Sequence, residues 1–243
     1  MKRSILYFSG MLLLTFAAGC SSNVAPPATS PQVNYVKDST YLYTQQSLDT
    51  ADRPVGQVDT ITSTIVATDT TYFGMSNVTV IQNRHSSGAA MDTTYIAQES
   101  GDYWHYNYGL ESANTNAVVL GYNNNKPLNA GWVLQAKLGA AEGEKWQAAN
   151  TPVTVGSLTP TLIDTATEAS DANVNVEGSS INAKHAVHAI NLTTIGASVI
   201  GTVDTYVSAS DGMVQNIVHA ARVTLGTSTI WASGTETILI KAP

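Results

Sequence analysis

Residues 132–138 read Trp132-Val133-Leu134-Gln135-Ala136-Lys137-Leu138. Side chains along a strand alternate between its two faces. Trp132, Leu134, Ala136 and Leu138 therefore share one face, and Gln135 and Lys137 share the other. That pattern predicts a strand with one face on a core and one in water. Similar short runs recur on both sides of it. Upstream they cover 39–49, 57–72, 77–82, 93–98, 102–108 and 117–122; downstream they cover 145–154, 173–177, 181–192, 198–208, 213–225 and 235–241. Turn chemistry separates them: Ala51 to Gly56, Ser86-Ser87-Gly88, the tight hairpin signal Ser100-Gly101, and Asn123 to Pro127. Only Leu162 to Ala172 has a spacing open to a helix, and it lacks a convincing cap. The fold class expected is all-β: a single large curved antiparallel sheet, as a half-barrel or sandwich of about a dozen strands, with little or no helix.

Composition agrees. Charged residues make up 12% of the 243, about half the usual ~25%. Threonine is common, with 30 in the chain. Threonine, valine, isoleucine and tyrosine all suit a pleated, half-buried surface. No repeat of fixed period is present.

The first twenty residues carry a different message. Lys2 and Arg3 precede a mostly apolar run from Ile5 to Ala18, which ends in Ala17-Ala18-Gly19-Cys20. A basic start, a short apolar core and small residues at the cut mark a secretory signal. The run is too short for the ~20 residues a membrane span needs. The last four residues resemble the lipobox of bacterial lipoproteins, with Ala17 where leucine is usual. That resemblance implies cleavage before Cys20 and acylation of its sulfur and its new amino terminus. Several acyl chains anchor stably where one alone is marginal. The residues after Cys20 are Ser21 and Ser22, so no aspartate signals inner-membrane retention, and the outer membrane is the expected address.

Three segments follow: 1–19 as signal peptide, 20–32 as the lipidated cysteine with a proline- and serine-rich tether, and 33–243 as one all-β domain. At ~3.1 Å per residue the tether reaches about 35 Å. Loss of Lys2 and Arg3 leaves nine basic residues against 18 acidic ones, a net charge of −9. This argues against nucleic acid as a partner and against attraction to anionic headgroups. With the single cysteine acylated, neither a disulfide nor a thiolate metal site can form.

Val176, Gly178, Ile181, Ala183 and Lys184, followed by Tyr206, Gly212, Met213 and Val214, form a second pattern. It resembles one in uncharacterised exported lipoproteins, whose glycine-threonine-aromatic step is here Gly178-Ser179-Ser180-Ile181. That family has no defined activity. The resemblance implies a curved antiparallel sheet, similar in outline to lipoprotein-carrier half-barrels; fold-level analogy does not set function.

Candidate chemistry is sparse. Of His85, His105, His185, His188 and His219, the pair His185 and His188 falls on opposite faces of a strand, so no shared metal is expected. His185 is expected on the apolar side with Ile181, Ala183 and Val187. Glu142 and Glu144 read as a solvated turn, and Asp69, Asp92, Asp102 and Asp211 as strand-end turn residues. No G-x-S-x-G elbow or phosphate loop occurs. The feature with functional pull is aromatic. Alternation puts Trp104, Tyr106 and Tyr108 on one face, with Tyr103 and His105 on the other, and Trp132 and Trp146 in neighbouring strands. Trp104, Tyr106, Tyr108, Trp132 and Trp146 are the candidate ligand-binding set. The competing reading makes them the bulky core of a sheet otherwise built from small side chains.

The expectation is thus a non-enzymatic lipoprotein with no cofactor and no metal. Its partners would be the membrane, through its lipid, and an apolar ligand on the concave face or an envelope protein at a strand edge. A structural or adhesive surface element is the alternative. A hydrolase is the distant one, requiring two or more of His105, His185 and His219 to converge with a carboxylate in one cleft.

Overall fold

The computed structural model describes residues 30–88, 91–106, 131–152 and 161–243. The signal, Cys20, most of the tether, Tyr108 and the strand expected at 117–122 lie outside these residues. The described strands are β1 (Thr40–Leu48), β2 (Pro54–Tyr72), β3 (Met75–His85), β4 (Asp92–Glu99), β5 (Asp102–Tyr106), β6 (Trp132–Lys137), β7 (Lys145–Pro152), β8 (Thr161–Glu168), β9 (Ala172–Val176), β10 (Ser179–Thr194), β11 (Ala197–Ser208), β12 (Gly212–Val218), β13 (Ala221–Leu225), β14 (Ser228–Ala232) and β15 (Gly234–Lys241). No described residue is helical. The 162–172 stretch is not helical: it holds most of β8, where Leu162, Asp164, Ala166 and Glu168 alternate inward, and the first residue of β9.

All pairings are antiparallel and most join neighbours in sequence. The order β6-β5-β4-β3-β2-β1-β15-β12-β11-β10-β8-β7 makes one sheet, nearly closed into a barrel. The first and last strands meet in its middle, β1 against β15 from Leu42–Lys241 to Leu48–Gly234. Several connections are two-residue turns whose residues both have positive φ: Ser100-Gly101, Glu177-Gly178 and Phe73-Gly74. That turn type matches strand twist, so the chain can reverse without splaying the sheet.

Cross-strand partners share a face, so register sorts the inside from the outside. The inner face carries Tyr41, Ile65, Ile81, Ile96, Tyr103, Val207, Val214 and Leu239, the centre of the main core. Each such side chain, fully buried, contributes about 1.5–3 kcal/mol. The chain before β1 plugs this core. Val33 donates its amide to Gln98 Oε1 at 2.6 Å and accepts from Gln98 Nε2 at 2.9 Å. The Tyr35 hydroxyl meets that of Tyr103 at 2.7 Å.

Strand β6 departs from simple alternation. Tyr103 pairs with Ala136 but Trp104 pairs with Leu134, so Gln135 is an unopposed bulge. The β6 edge also folds across the inner side of β8, β10 and β11. Gln135 is consequently buried instead of wet. Its carbonyl accepts from His188 Nε2 at 2.9 Å, and its side chain accepts from Thr205 at 3.2 Å. Trp146 closes the same seam, donating its indole N–H to the Leu134 carbonyl at 3.0 Å.

The strand expected at 213–225 is two, β12 and β13, broken at His219 and Ala220. Across the break, β14 gives way to β15 at Gly234, where an added Cβ would collide with the Val218 carbonyl. Only glycine lets the two chains pass so closely. β14 itself, Ser228–Ala232, was not legible as a strand; its outer positions are threonine and an exposed tryptophan.

Candidate functional site

Tyr106 and Trp132 do come together, with ring centroids 5.2 Å apart. They lie on the outer face of the sheet, whereas the inner face is filled by the core. Three residues that sequence reasoning missed complete the group: Tyr72, Phe73 and Tyr95. Phe73 stacks flat on Tyr106, centroids 3.9 Å apart and planes 5° apart. It meets Tyr95 edge-on at 5.2 Å, and Tyr72 lies 5.1 Å from Tyr95.

The tip of the β2–β3 hairpin makes this possible. Bulges between Ile65 and Ala67, Ala67 and Thr70, and Thr70 and Tyr72 bend the hairpin. Asp69, expected at a strand end, is instead inside β2 with φ 54°, part of that bend. The tip thereby lies against the outer face, and Met75 and Ala67 cover Val78, Val80 and Ala97. Trp132 fixes it, donating its indole N–H to the Phe73 carbonyl at 3.1 Å. Phe73 nonetheless remains 53% exposed, and Tyr72 40%. A bulky residue at φ 48° is unusual, since Asn or Gly normally fills that turn position.

The other described residues of the candidate set, Trp104 and Trp146, are placed differently. Trp104 is half-buried between this cluster and a second core of Val133, Leu134, Trp146 and alanines. Trp146 is sealed in that second core, with the Lys137 ammonium 5.7 Å from its ring centre. Tyr103 and His105 do face the other way, into the interior. Burial holds the His105 imidazole down to about 3, so it is neutral.

The histidines separate by face. His188 is fully buried, with Nδ1 3.0 Å from Asp164. His185 is not on the apolar side with Ile181 and Ala183. β10 changes partner from β9 to β8 between Ala183 and Ala186, and the inward parity changes there too. His185 instead stacks on Tyr206 at 4.3 Å, on the outside. Its Nε2 lies 3.2 Å from Asp204 Oδ1, and His219 Nε2 lies 2.9 Å from Asp204 Oδ2. His219 Nδ1 lies in turn 3.0 Å from Asp52, which also accepts from the Ala220 amide. Two of the three histidines named for catalysis thus converge on a carboxylate.

Burial alone would raise Asp204, but hydrogen bonds from both imidazoles outweigh it and hold the carboxyl below its ordinary value. Burial would lower His219, and the two carboxylates outweigh that and raise it. Asp204 and His219 therefore each favour the charged form, and the His219–Asp52 contact ties the β1–β2 turn to the β12–β13 break. Among the described residues no group of three or more His, Cys, Asp or Glu could hold a metal ion.

No protein-family model and no curated protein matches the chain. Solved structures do. A protein of Parabacteroides distasonis, provisionally assigned as a lipoprotein, superposes with a TM-score of 0.54 at 10% identity, covering 88% of this chain and 98% of that one. The two chains share a fold. An exported protein of Bacteroides fragilis described as having a YmcC-like fold gives 0.44 at 7% identity, covering 88% and 99%. The hypothetical lipoprotein YmcC of Escherichia coli gives 0.33 at 13%, covering 86% and 92%. The curved-sheet expectation agrees with the first of these. Likeness at such identity concerns the fold alone.

Proposed function

We propose that the chain is a lipid-anchored, non-enzymatic binding protein of the cell envelope, held at the outer membrane through Cys20. Its contact surface is the aromatic cluster around Phe73, and its ligand is the apolar face of a sugar ring. One observation carries this reading. Phe73 is kept in a left-handed conformation that costs about 1–3 kcal/mol, with its carbonyl and ring both pinned, yet half its surface stays in water.

The shape of the surface selects the ligand. An acyl chain needs enclosure on all sides, which an outer face cannot give. A sugar ring has one C–H face for an aromatic and a hydroxyl rim that remains solvated, so contact on one side suffices. The histidine line is read as a latch between strands, because both imidazoles are engaged with carboxylates. The sequence pattern at Ala17 to Cys20, and the lipoprotein assignment of the Parabacteroides distasonis protein, support the address.

A glycan microarray tests the ligand. The parent chain should bind at least one class of bacterial polysaccharide, and Phe73→Ala should weaken that binding at least tenfold. Binding that survives Phe73→Ala unchanged sinks the proposal, as does a parent that binds no glycan. The anchor has its own test. Cys20→Ser should block processing and shift the protein out of the envelope fraction, and unchanged fractionation refutes the anchoring.

A further inference from the structure

We infer that the outer edge of β14 is a self-pairing surface, joining two copies of this chain through antiparallel strand addition. β1 lies beside β15 up to the pair Leu48–Gly234 and then turns away. The next strand on that side, Ser228–Ala232, pairs among the described residues only with β13. Its outer backbone groups form an edge on which another strand can build.

The strand itself carries no guard: it reads Ser-Thr-Ile-Trp-Ala, without charge, proline or bulge. Ile230 is 48% exposed and Trp231 55%. The neighbouring turns add Ile195 and Leu225, brought together where the Gly226 amide donates to the Gly196 carbonyl at 2.7 Å.

Charge selects a second copy as the occupant. A chain of net charge −7 repels itself over most of its surface. This lobe is the exception, since residues 190–202 and 218–235 contain no Asp or Glu and a single arginine, Arg222. Geometry selects the register. With Thr229 of one copy opposite Thr229 of the other, the incoming turn at Gly226 and Thr227 ends beside Trp231 and Ala232. It thus stops short of Gly234, where Leu48 already sits. Each Ser228 then faces Ile230 of the other copy, and Trp231 is covered by the incoming turn. A strand pair this short buries less than the ~1,000 Å² of a stable interface, so the dimer is reversible and forms where copies are crowded.

The test is disulfide capture in intact cells expressing the full chain. Directly opposed strand residues have Cα atoms within disulfide reach. Thr229→Cys should therefore give a species of twice the chain mass on oxidation. The parent chain should give none, and neither should Ser198→Cys, placed on the same face but two strands in from the edge. Adding Ile230→Lys to Thr229→Cys should cut the captured fraction at least tenfold, while thermal melting shows the exposed substitution leaves the fold intact. Absence of the dimer overturns the inference, as does equal capture by Ser198→Cys. Adducts of any other mass also overturn it, and show that a foreign strand takes the edge.

Discussion

Replacing Glu168 by glutamine should stabilise the protein by about 3 kcal/mol at pH 8 and by almost nothing at pH 4.5. Glu168 ends β8 with its side chain fully buried, and neither carboxylate oxygen has a hydrogen-bond partner among the described residues. The nearest cation, Lys184, stands 3.8 Å away. Its ammonium is already engaged with Asp171 at 2.9 Å and the Ala140 carbonyl at 3.0 Å. Burial dominates and raises the carboxyl from 4.5 to about 7, with Lys184 opposing the rise.

The sign follows from which state holds the proton. Below pH 4.5 the group is protonated folded or unfolded, and it contributes no difference. Between 4.5 and about 7 only the folded chain keeps the proton, so stability falls as pH rises. Above 7 the folded state carries an unsolvated carboxylate, and the full loss is present. Glutamine has the same shape and no charge, so it removes the slope. Urea denaturation at pH 4.5, 6 and 8 measures this; a stability difference that does not change with pH would refute it.

Gly234→Ala should destabilise by about 3 kcal/mol or more, and lower the melting temperature by about 6–12 °C. The added methyl would strike the Val218 carbonyl and crowd the backbone of His219 and Ala220. No rotamer change relieves a clash with main chain. The β12–β13 and β14–β15 breaks would have to separate, with loss of the pairing of Val218 with Thr235. Gly139→Ala is the control, because nothing lies within 4 Å of the new carbon and φ is ordinary. It should shift the melting temperature little. Equal effects of the two substitutions in a thermal scan would show that close passage at Gly234 is unimportant.

Residues 132–138 illustrate how far sequence reaches. The period of two identified a strand and its apolar content correctly. It could not reveal that Gln135 bulges, because a bulge is set by the partner strand. Nor could it reveal that β6 is covered on both sides, which follows from the sheet curling onto itself. The same limit applies at His185, whose face was extrapolated from Ile181 and Ala183 across a change of partner strand. The meander was legible because turn residues are local. The meeting of β1 with β15 was not, since nothing local announces which distant strand fills an edge.

At the aromatic cluster, Tyr106 and Trp132 were found by alternation within and next to a predicted strand. Phe73 was missed for a physical reason. It sits in a turn, at a backbone conformation that phenylalanine seldom adopts, and no propensity argument places it there. That mismatch between residue and turn was itself the available signal.

The plug formed by Val33 and Tyr35 fixes the order in which this molecule can be completed. These residues come early in the chain, but their hydrogen-bond partners Gln98 and Tyr103 lie 65 and 68 residues further along. Tyr43, close behind, waits 170 residues for the carbonyl of Met213. Contacts so distant in sequence impose a large loop-closure cost and slow folding. The plug therefore closes only after β4 and β5 have been made, and the Tyr43 contact only once the chain has reached β12.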